Sequence, residues 1–576
     1  MRILGIGPEV WISSAALIQD GVVVAGAAEE RFDRQKTSRK FPRQAIRHCL
    51  QTAQCAFEDV DYLAVAWNPA KHMRSYNYRF SDATRWRAEL LTSIPNNALQ
   101  LCADKEVDHV QQDFVGADHT TKIVYVTHHL AHAASAFYLS PFQDAAVITV
   151  DGRGEDQTAF FGLGSKNKIT NLQTIAFPHS LGLVYSAVTD FLGFKAHVDE
   201  WKVMALASYG TRDNAEYDKL KKILILKEDG SFEFDLSYFN YYLADQTVLY
   251  SPKFVGMFGG PRQEDEELTE RHYAIAAALQ QVTEEVLVHM LRWLYEQTKM
   301  ENLVVGGGVF MNSVFNGKIR ELTPFKNVFI SSCPDDSGVS VGAAAYVYHD
   351  ILGLPRMQTP TDNYWGPEFS DATIKETLEK YKLTAVRMPD VESYAARLLQ
   401  EGRIIGWFQG KMEFGQRALG NRSILASPTI AEMKDLVNRI IKYRESFRPF
   451  APSVLEESVA EYFECKPEDR VPFMERVYMI RPEKRDVIPA VVHVDGSGRL
   501  QTVSKETNPR YHKLISEFEK LTGIPVLLNT SFNLKGEAIV CTPTDAIRTF
   551  MSSGLDALVL GNYVILKSSS MVSSSV

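Results

Sequence analysis

Two stretches of the chain repeat one pattern, in which short apolar runs stand on either side of a turn. Residues 13–27 are apolar or small around Asp20-Gly21, and residues 145–163 are apolar around the turn at 151–154. Apolar runs of this length around a glycine turn predict β-hairpins. Because the pattern recurs, we predict an α/β fold with a duplicated nucleotide-binding unit.

Helix and strand patterns alternate through the rest of the chain. Between residues 268 and 298 the apolar positions fall at helical spacing, and residues 303–305 predict a buried strand. Further predicted strands cover residues 403–408 and 524–528, and residues 431–444 predict a basic helix. Such alternation is typical of α/β proteins.

The periodicity breaks where Gly353, Pro355, Pro360 and Pro367 stand among polar residues. Clustered glycine and proline favour a connection between folded units. We therefore predict a first domain at 1–354, a linker at 355–370, a second domain at 371–567 and a disordered serine-rich tail at 568–576.

Composition indicates a sizeable globular protein. The chain has 576 residues, 45% of them hydrophobic, a formal net charge of −9 and a pI near 5.9. This acidity disfavours nonspecific binding to nucleic acid or membranes, whose surfaces are anionic. Because there is no apolar run of about 18 residues and no basic and apolar leader, we expect a cytoplasmic protein. The six scattered cysteines form no C-x-x-C pair, which argues against a zinc ribbon and a disulfide framework.

The strongest candidate for chemistry is a histidine pair followed by an aspartate. His128 and His132 stand one turn apart on one face of a predicted helix, and Asp151 follows the apolar run 145–150. Two imidazoles and a carboxylate can bind one cation, so we predict a metal site. The alternative is a pair of solvated surface histidines beside a turn. His129 points about 100° away from that face and is expected to support the site or the fold.

A glycine turn is the second candidate. Gly306, Gly307 and Gly308 place bare backbone amides at a strand end, and Asn312 follows at the next helix. Such a turn lets the phosphates or ribose of a nucleotide approach closely; a tightly packed strand-to-helix turn is the alternative. Asp336, before a helix of small residues, is a candidate second carboxylate for the metal. No G-x-x-x-x-G-K-[ST] motif occurs, so a P-loop ATPase is not indicated.

The predicted second domain concentrates cations in residues 411–423 and 442–449, among phenylalanine and proline. Planar guanidinium groups suit phosphate oxygens, so these stretches predict a phosphate site; a salt-bridged helix face is the alternative. Residues 529–537 carry hydroxyl and amide side chains after a buried strand and are expected to complete an anion pocket. The cations expected to neutralise phosphate groups are Arg417, Arg422, Lys442, Arg444 and Arg448.

Taken together, these motifs resemble the NodU/CmcH-type carbamoyltransferases, a family that includes antibiotic O-carbamoyltransferases. The resemblance covers nearly the whole chain. The stretches that carry it are residues 28–32 (Ala-Glu-Glu-Arg-Phe), 128–132, 150–152 and 200–210, the Gly306 and Asp336 segments, and the three stretches of the predicted second domain.

The resemblance implies a two-part enzyme. The first part would be a duplicated actin/Hsp70-like (ASKHA) domain that binds a metal and passes a carbamoyl group to an acceptor hydroxyl. The second would be a YrdC-like domain that joins ATP and carbamoyl phosphate into carbamoyl adenylate with loss of pyrophosphate. Iron(II) would be the metal, although ligand softness alone leaves zinc, manganese and cobalt open. The implied metal ligands are His128, His132, Asp151 and Asp336.

The resemblance also implies a K-x-R motif at Lys442 and Arg444 and an S-x-N motif at Ser531 and Asn533. Because ATP and carbamoyl phosphate are polyanions that repel each other, a cation cluster would neutralise and orient them. We assign catalytic roles to Arg417, Lys442, Arg444 and Arg448, and nucleotide or phosphate binding to Gly306, Gly307, Gly308, Asn312, Arg422, Ser531 and Asn533.

The chain departs from the family at one place. The family reads His-Asp-Ala-Ser-Ala near its start, with the histidine implicated in transfer to the acceptor, whereas residues 11–15 here are Trp-Ile-Ser-Ser-Ala. The indole of Trp11 cannot act as a base. Either another group, such as His129 or His197, takes the proton, or the acceptor is different.

We therefore predict an ATP-dependent carbamoyltransferase that acts on a hydroxyl or an amine of a small metabolite or sugar. The alternatives are carbamoyl transfer to a macromolecule, which the acidic charge disfavours, and a nucleotide-binding regulatory protein derived from such an enzyme. The expected partners are ATP, carbamoyl phosphate and a small acceptor, with no nucleic acid and no membrane; Mg²⁺ with ATP and a homodimer stay open. The acceptor pocket is expected in loops such as 67–120.

Overall fold

The structure is a computed structural model that describes residues 1–8, 11–68, 109–115, 120–243 and 246–567. The predicted tail and most of the predicted acceptor loop lie outside the described residues. The chain folds as two units: the first comprises Met1–Glu29 and Thr37–Pro360, and the second comprises Glu30–Lys36 and Thr361–Val576. The change from one unit to the other after Pro360 falls inside the predicted linker, whereas no signal in the sequence assigned Glu30–Lys36 to the second unit.

The second half of the predicted linker is packed into the second unit. Asn363 and Trp365 are buried, and Asn363 Nδ2 donates to the carbonyl oxygen of Phe414 at 2.7 Å. The backbone N–H of Gly366 donates to the carbonyl oxygen of Met412 at 2.9 Å. Proline and glycine break the periodicity here, but they do not prevent the segment from packing.

The apolar runs at 13–27, 145–163 and 303–305 form strands as predicted, and the first unit contains further strands that were not predicted. The strands of this unit that the structure describes are β1 (Arg2–Gly7), β2 (Ser14–Gln19), β3 (Val22–Ala28), β4 (Tyr62–Val65), β5 (His109–Val115), β6 (Thr120–Val126), β7 (Asp144–Val150), β8 (Gln157–Ser165), β9 (Lys168–Ala176), β10 (Leu224–Leu226), β11 (Phe232–Phe234), β12 (Asn302–Gly306) and β13 (Asn327–Ile330).

Two sheets of the first unit share an arrangement of five strands, and the first has β5 as a sixth. One has the strand order β3-β2-β1-β4-β6-β5, and the other has the order β13-β12-β7-β8-β9. In each, three consecutive strands form an antiparallel meander, β1 to β3 or β7 to β9. Two further strands, β4 and β6 or β12 and β13, continue the sheet in parallel from the first strand of the meander. The mixed α/β class predicted from the sequence is therefore confirmed, and the repeated strand order agrees with the predicted duplication.

The long helix predicted at 268–298 is present as Glu270–Thr298. The other α-helices described in the first unit are Arg43–Thr52, His128–Tyr138, Leu181–Phe191, Glu200–Leu206, Ala215–Lys222, Pro252–Phe258, Ser313–Leu322 and Val339–Tyr346. Short 3-10 or π segments are Phe57–Asp59, Ala207–Tyr209, Leu236–Tyr238, Gly308–Met311, Asp336–Gly338 and Val347–Ile351.

Small residues let the helix Val339–Tyr346 pack closely on both of its neighbours. A Cβ atom on Gly342 would lie 1.9 Å from the carbonyl oxygen of Ala131, in the helix that starts at His128. A Cβ on Gly5 of β1 would lie equally close, 1.9 Å, to the carbonyl oxygen of Ser340. Only glycine allows these approaches, and they bring the start of the helix beside His128.

The second unit is built on one mixed sheet with the order β14-β22-β21-β15-β16-β20-β17-β19-β18. Its strands are β14 (Val386–Arg387), β15 (Ile405–Phe408), β16 (Arg422–Ala426), β17 (Ala451–Leu455), β18 (Arg476–Met479), β19 (Ser497–Val503), β20 (Val526–Ser531), β21 (Ala557–Leu560) and β22 (Tyr563–Leu566). Its helices are Glu30–Asp33, Asp371–Lys380, Val391–Gln400, Met433–Val437, Val459–Tyr462, Pro482–Arg485, Pro509–Thr522 and Pro543–Met551, with a π segment at Asn438–Lys442.

Both faces of this sheet are buried, which explains its unbroken apolar runs. Trp407 and Phe408 are neighbours in β15 but belong to different apolar clusters. Leu425 and Ile424 in β16 divide in the same way. Because successive side chains of a strand point to opposite faces, a sheet covered on both sides needs apolar residues at every position. Among the described residues, no helix is both long and apolar enough to cross a membrane.

Candidate functional site

The four predicted metal ligands lie together in the first unit, at the ends of three elements. His128 and His132 occupy the first two turns of the helix that follows β6. Asp151 comes directly after the last residue of β7. Asp336 opens the 3-10 turn that leads into the helix of small residues. The close packing of the two helices therefore places Asp336 beside both histidines.

The four side chains converge on one point. The Nε2 atoms of His128 and His132 lie 3.1 Å apart. Asp151 Oδ2 lies 3.4 Å from His128 Nε2 and 2.9 Å from His132 Nε2, and Asp336 Oδ1 lies 3.5 Å from each of them. One ligand atom from each residue falls within 4.8 Å of all the others. This set of two nitrogens and two oxygens fits a divalent cation.

Charge balance supports the same interpretation. Burial acts to lower the pKa of His128, but the charge of Asp336 and hydrogen bonds to Asp151 and Asp336 outweigh it, so that this pKa lies well above its usual value. Burial acts to raise the pKa of Asp151, but hydrogen bonds from His128 and His132 hold it well below its usual value. The two carboxylates thus hold positive charge in the site, and a bound cation would take the place of those protons.

Glu155 supports the start of this helix, and no local signal in the sequence revealed it. The N-cap residue Thr127 makes no side-chain cap hydrogen bond. The buried carboxylate of Glu155 instead accepts from the backbone N–H of His128 at 3.1 Å and of Asn68 at 2.7 Å. A carboxylate at a helix N-terminus satisfies an otherwise unpaired N–H and complements the helix dipole. Glu155 therefore fixes the turn that carries the first metal ligand.

His129 is a supporting residue, in agreement with its position on the helix. Its Nδ1 lies 2.7 Å from Thr149 Oγ1, and its Nε2 lies 3.1 Å from the carbonyl oxygen of Gln157. Burial, together with the neighbouring His128, lowers the pKa of His129 to about 3. Both ring nitrogens are occupied, which leaves none for a substrate.

The glycine turn lies directly against the metal ligands. A Cβ on Gly308 would lie 2.9 Å from Asp151 Oδ1, and one on Gly307, whose φ is +89°, would lie 2.3 Å from the carbonyl oxygen of Val150. Asn312 is buried, caps the next helix by accepting from the N–H of Phe315, and donates to Gln280 at 2.9 Å. The amide of Asn312 therefore has a structural partner, and its assigned role in nucleotide binding stays a prediction.

Trp11 contacts one of the candidate metal ligands, Asp336, through its backbone. Its N–H donates to Asp336 Oδ2 at 2.8 Å, and its indole Nε1 donates to the carbonyl oxygen of His197 at 2.5 Å. The indole packs edge-on against the His197 ring with centroids 4.6 Å apart, and the guanidinium of Arg39 lies 4.6 Å from the indole centroid. The residue that replaces the family's histidine is therefore adjacent to the metal ligands.

In the second unit, the predicted K-x-R and S-x-N motifs meet. Lys442, at the end of the π segment, is buried, and its Nζ donates to the carbonyl oxygen of Asn533 and to Asn533 Oδ1, both at 3.0 Å. The same ammonium donates to the carbonyl oxygen of Ser531 at 2.5 Å. Burial lowers the pKa of Lys442 well below its usual value, and the charges of Arg444 and Arg448 lower it further.

Arginines form the rest of this cluster, and one of them was missed by the sequence analysis. Burial lowers the pKa of Arg499 well below its usual value, and the next causes are the charges of Arg417, Arg444 and Arg448. Arg499 Nε is buried and has no hydrogen-bond partner among the described residues. We name Arg417, Lys442, Arg444, Arg448 and Arg499 the cation cluster.

Arg422 makes different contacts. It is fully buried, its guanidinium stacks 3.7 Å from the Phe408 ring centroid, and it donates to the carbonyl oxygens of Gln409 at 2.6 Å and Pro367 at 2.8 Å. These bonds tie β16 to the loops around it. The phosphate-binding role assigned to Arg422 stays a prediction, and the contacts present give it a structural one.

Comparison with known proteins agrees with this arrangement. The chain matches the family models for the carbamoyltransferase N-terminus at residues 2–345 and the carbamoyltransferase C-terminus at residues 396–567. It is similar to the uncharacterized protein sll1178 of Synechocystis sp., with 40% identity over 98% of this chain and 97% of that protein.

Two further relatives have functional names. Nodulation protein NolNO of Sinorhizobium fredii is 37% identical over 96% of this chain and 78% of its own length. The 3'-hydroxymethylcephem-O-carbamoyltransferase of Amycolatopsis lactamdurans is 30% identical over 76% of this chain and 79% of its own length. The chain therefore belongs to the carbamoyltransferase family. Within it, the relatives are of the NodU/CmcH type, as the sequence motifs indicated.

Proposed function

We propose that this protein is an ATP-dependent carbamoyltransferase that works through carbamoyl adenylate. Water releases the phosphate of carbamoyl phosphate, the resulting carbamate oxygen attacks the α-phosphorus of ATP, and pyrophosphate leaves. An acceptor oxygen, or an amine nitrogen, then attacks the carbamoyl carbon, loses its proton, and displaces AMP. The acceptor we expect is a small metabolite or sugar.

The observation that carries the proposal is the cation cluster of the second unit. The charges of Arg417, Arg444 and Arg448 act on Arg499. Glu445 lies 3.3 Å from Arg448, and a bound anion would further reduce the repulsion among these buried cations. Two polyanionic substrates supply that anion. The cluster would hold the phosphates of ATP and of carbamoyl phosphate and reduce their mutual repulsion.

Lys442 is suited to the attacking carbamate. Ser531 and Asn533 hold its Nζ in one position at distances of 2.5 to 3.0 Å. A buried ammonium held in this way can pair with a carboxylate-like oxygen and place it in line with the α-phosphorus.

We extend the proposal to the fold: the second unit would be YrdC-like, and the duplicated sheets of the first unit would make it actin/Hsp70-like.

The transfer step would use the first unit. His128, His132, Asp151 and Asp336 would hold a divalent cation, iron(II) on the family resemblance, with zinc, manganese and cobalt as alternatives. Such a cation supplies Lewis acidity that polarises a carbonyl or phosphoryl oxygen. The turn of Gly306, Gly307 and Gly308 offers backbone N–H groups next to Asp151, where the adenylate phosphate would be positioned.

Of the two histidines proposed as the base, the geometry favours His197. The ring nitrogens of His129 are both occupied, whereas the His197 ring packs against Trp11, which is bonded to Asp336. Burial, followed by the charge of Arg39, lowers the pKa of His197 to about 4, so its imidazole is neutral near pH 7 but would act as an effective base only if the bound substrate raises this pKa. Trp11 would then shape the acceptor side of the pocket.

Pyrophosphate release tests the first half-reaction. Purified protein should release pyrophosphate from ATP only when carbamoyl phosphate is present. Absence of release under any metal would remove the adenylate mechanism and favour the regulatory nucleotide-binding alternative. Trp11→Ala should leave this release unchanged and reduce transfer to the acceptor, which separates the two halves of the reaction.

A further inference from the structure

A short segment from the early part of the chain, Glu30–Lys36, belongs to the second unit. We call it the strap. It follows β3 and precedes the stretch of the first unit that starts at Thr37. The backbone of Arg34 in its centre is left-handed, with φ of +62°. A residue with a Cβ keeps this conformation only where its surroundings hold it, so the contacts of the strap determine its shape.

Arg34 binds the loop that follows β20. Its Nη1 donates to the carbonyl oxygen of Ile539 at 2.5 Å, and its Nη2 donates to that of Ala538 at 2.6 Å. Its Nε lies 3.5 Å from Asp545 Oδ1. A planar guanidinium with two carbonyl acceptors and a nearby carboxylate fixes both the position and the orientation of the loop.

That loop holds a member of the predicted S-x-N motif. Asn533 Nδ2 donates to the carbonyl oxygen of Glu537 at 2.7 Å, and Gln35 of the strap forms an antiparallel bridge with Glu537. Asn533 Oδ1 in turn accepts from Lys442 at 3.0 Å and from Ser531 Oγ at 2.7 Å. A continuous chain of contacts therefore joins the strap to the ammonium of Lys442.

The strap also contacts the loop that carries Arg417. Arg31 Nη2 donates to the carbonyl oxygen of Gly415, two residues before Arg417, at 2.6 Å. Phe32 packs on a small apolar cluster that includes Met412. One segment thus contacts the loop that carries Arg417 and the loop that holds Asn533 against Lys442.

We propose that the strap positions the anion site of the second unit, with Arg34 as its main positioning residue. This inference rests on the proposed function, because it takes the cation cluster to bind phosphate groups. Phosphate donors must be held within about 0.5 Å of their working geometry, and loops achieve this only with support from outside themselves. The strap supplies that support from a part of the sequence more than 370 positions before the loop of Arg417 and about 500 before that of Asn533.

Calorimetric titration of the full chain with inorganic pyrophosphate tests the proposal. Arg34→Ala should weaken pyrophosphate binding by at least about tenfold. The loops of Asn533 and Arg417 would lose their support, and the phosphate-binding side chains would no longer be aligned. Arg34→Lys keeps the charge but loses the planar pair of N–H donors, so its affinity for pyrophosphate should lie between those of Arg34→Ala and the wild type. The matched control is Arg397→Ala, which removes an exposed arginine from a helix of the same unit.

Arg444→Ala, measured in parallel, separates the inference from the proposed function. Normal pyrophosphate binding in Arg444→Ala would show that the anion site itself is wrongly placed. Loss of binding in Arg444→Ala together with wild-type affinity in Arg34→Ala would overturn the role of the strap alone. If Arg34→Ala does not fold, a wild-type affinity for pyrophosphate in Arg34→Lys would overturn the role of the strap instead.

Hydrogen exchange distinguishes positioning from a general loss of stability. Arg34→Ala should exchange faster at residues 534–541 than the wild type, with little change in the rest of the sheet, and saturating pyrophosphate should reduce the difference. Faster exchange throughout the second unit, unaffected by pyrophosphate, would contradict a positioning role.

Discussion

The metal-ligand group of the first unit and the cation cluster of the second differ in how their charges are balanced. In the first, two carboxylates lie within hydrogen-bonding reach of two imidazoles, and the pKa of His128 is raised as that of Asp151 is lowered. In the second, burial and neighbouring cations lower the pKa of Lys442 and Arg499. The first group is stabilised by its own members. In the second, Glu445 pairs with Arg448 at 3.3 Å, and a bound anion would reduce the repulsion that remains among the cations.

This difference bears on how each site would work. A donor set on a helix start, a strand end and a 3-10 turn is held by regular structure, and it can keep a cation through repeated turnovers. The cations of the second unit lie on loops, at the end of a π segment and on β19, where substrates that enter and leave in every cycle would bind. Under the proposed function, the first site would hold a resident cation and the second a polyanion that is consumed.

The largest effect on a measured property should follow from removing one member of the metal-ligand group of the first unit. His132→Ala deletes a neutral imidazole from a four-ligand set, and loss of supporting residues alone weakens metal affinity by about 10–100-fold, so we expect a loss beyond about 100-fold. Elemental analysis after dialysis measures it. His289→Ala, in the long helix of the same unit, should keep the wild-type metal content. Equal metal in His132→Ala and the wild type would remove the metal site from the comparison.

Removing one cation should have a smaller effect. Arg499→Ala deletes a charge-assisted contact of about 1.5–3 kcal/mol, which corresponds to roughly a 10–150-fold loss in carbamoyl-phosphate-dependent pyrophosphate release. Its metal content should stay normal. Because Arg499 is repelled by its neighbours, Arg499→Ala should also unfold at a temperature no lower than that of the wild type without ligand. Normal pyrophosphate release in this variant would place the phosphates elsewhere.

Three of the four candidate metal ligands, His128, His132 and Asp151, were predictable because each stands where a local signal is strong. An i, i+4 histidine pair and an aspartate after an apolar run are both short-range patterns, and the elements they mark formed as predicted. Their convergence depends on close packing at Gly342 and Gly5, which sequence spacing does not encode. Asp336 was a candidate from its place before a helix of small residues, and the resemblance to known carbamoyltransferases added it to the implied ligand set.

The roles of Arg499, Glu155 and the strap could not be predicted from the sequence, for a related reason. Arg499 is one polar residue in β19, and only the pairing of β19 with β17 and β18 gives it neighbours. Glu155 acts on a helix that starts 27 residues before it. Arg422 illustrates the opposite case: it shares a cationic stretch with Arg417, yet its contacts turn it into the protein interior. Long-range pairing and side-chain direction decide these roles.

A smaller change in the first unit tests how the metal-ligand group is supported. Glu155→Gln keeps the shape of the side chain but removes its charge at the helix N-terminus, so the turn that carries His128 should be held less well. We expect metal affinity to fall by about tenfold, at the lower end of the range for supporting residues. Competition with a chelator measures it, and Glu58→Gln, at an exposed site, is the control. Unchanged affinity would mean that packing alone holds the helix.

The smallest expected effect tests whether the charge of Lys442 is balanced within the protein. The pKa of Lys442 is depressed in the folded protein, so between that value and the usual 10.5 the folded state binds fewer protons at this residue than the unfolded state does. The free energy of unfolding should therefore rise with pH across this window, by at most about 1.4 kcal/mol per pH unit. Below the window the folded protein carries the charged ammonium, and that stability is lost.

Lys442→Met isolates this contribution, because the difference in free energy of unfolding between wild type and variant cancels the other groups that titrate at high pH. The difference should shift in favour of the wild type as pH rises. Saturating pyrophosphate should flatten the shift, since a bound anion restores the pKa of Lys442 toward its usual value. Lys411→Met, at an exposed site, is the control and should keep the pH dependence of the wild type. A wild type without the slope would mean that the oxygens of Ser531 and Asn533 already compensate the ammonium. The two sites would then differ in their support rather than in their charge balance.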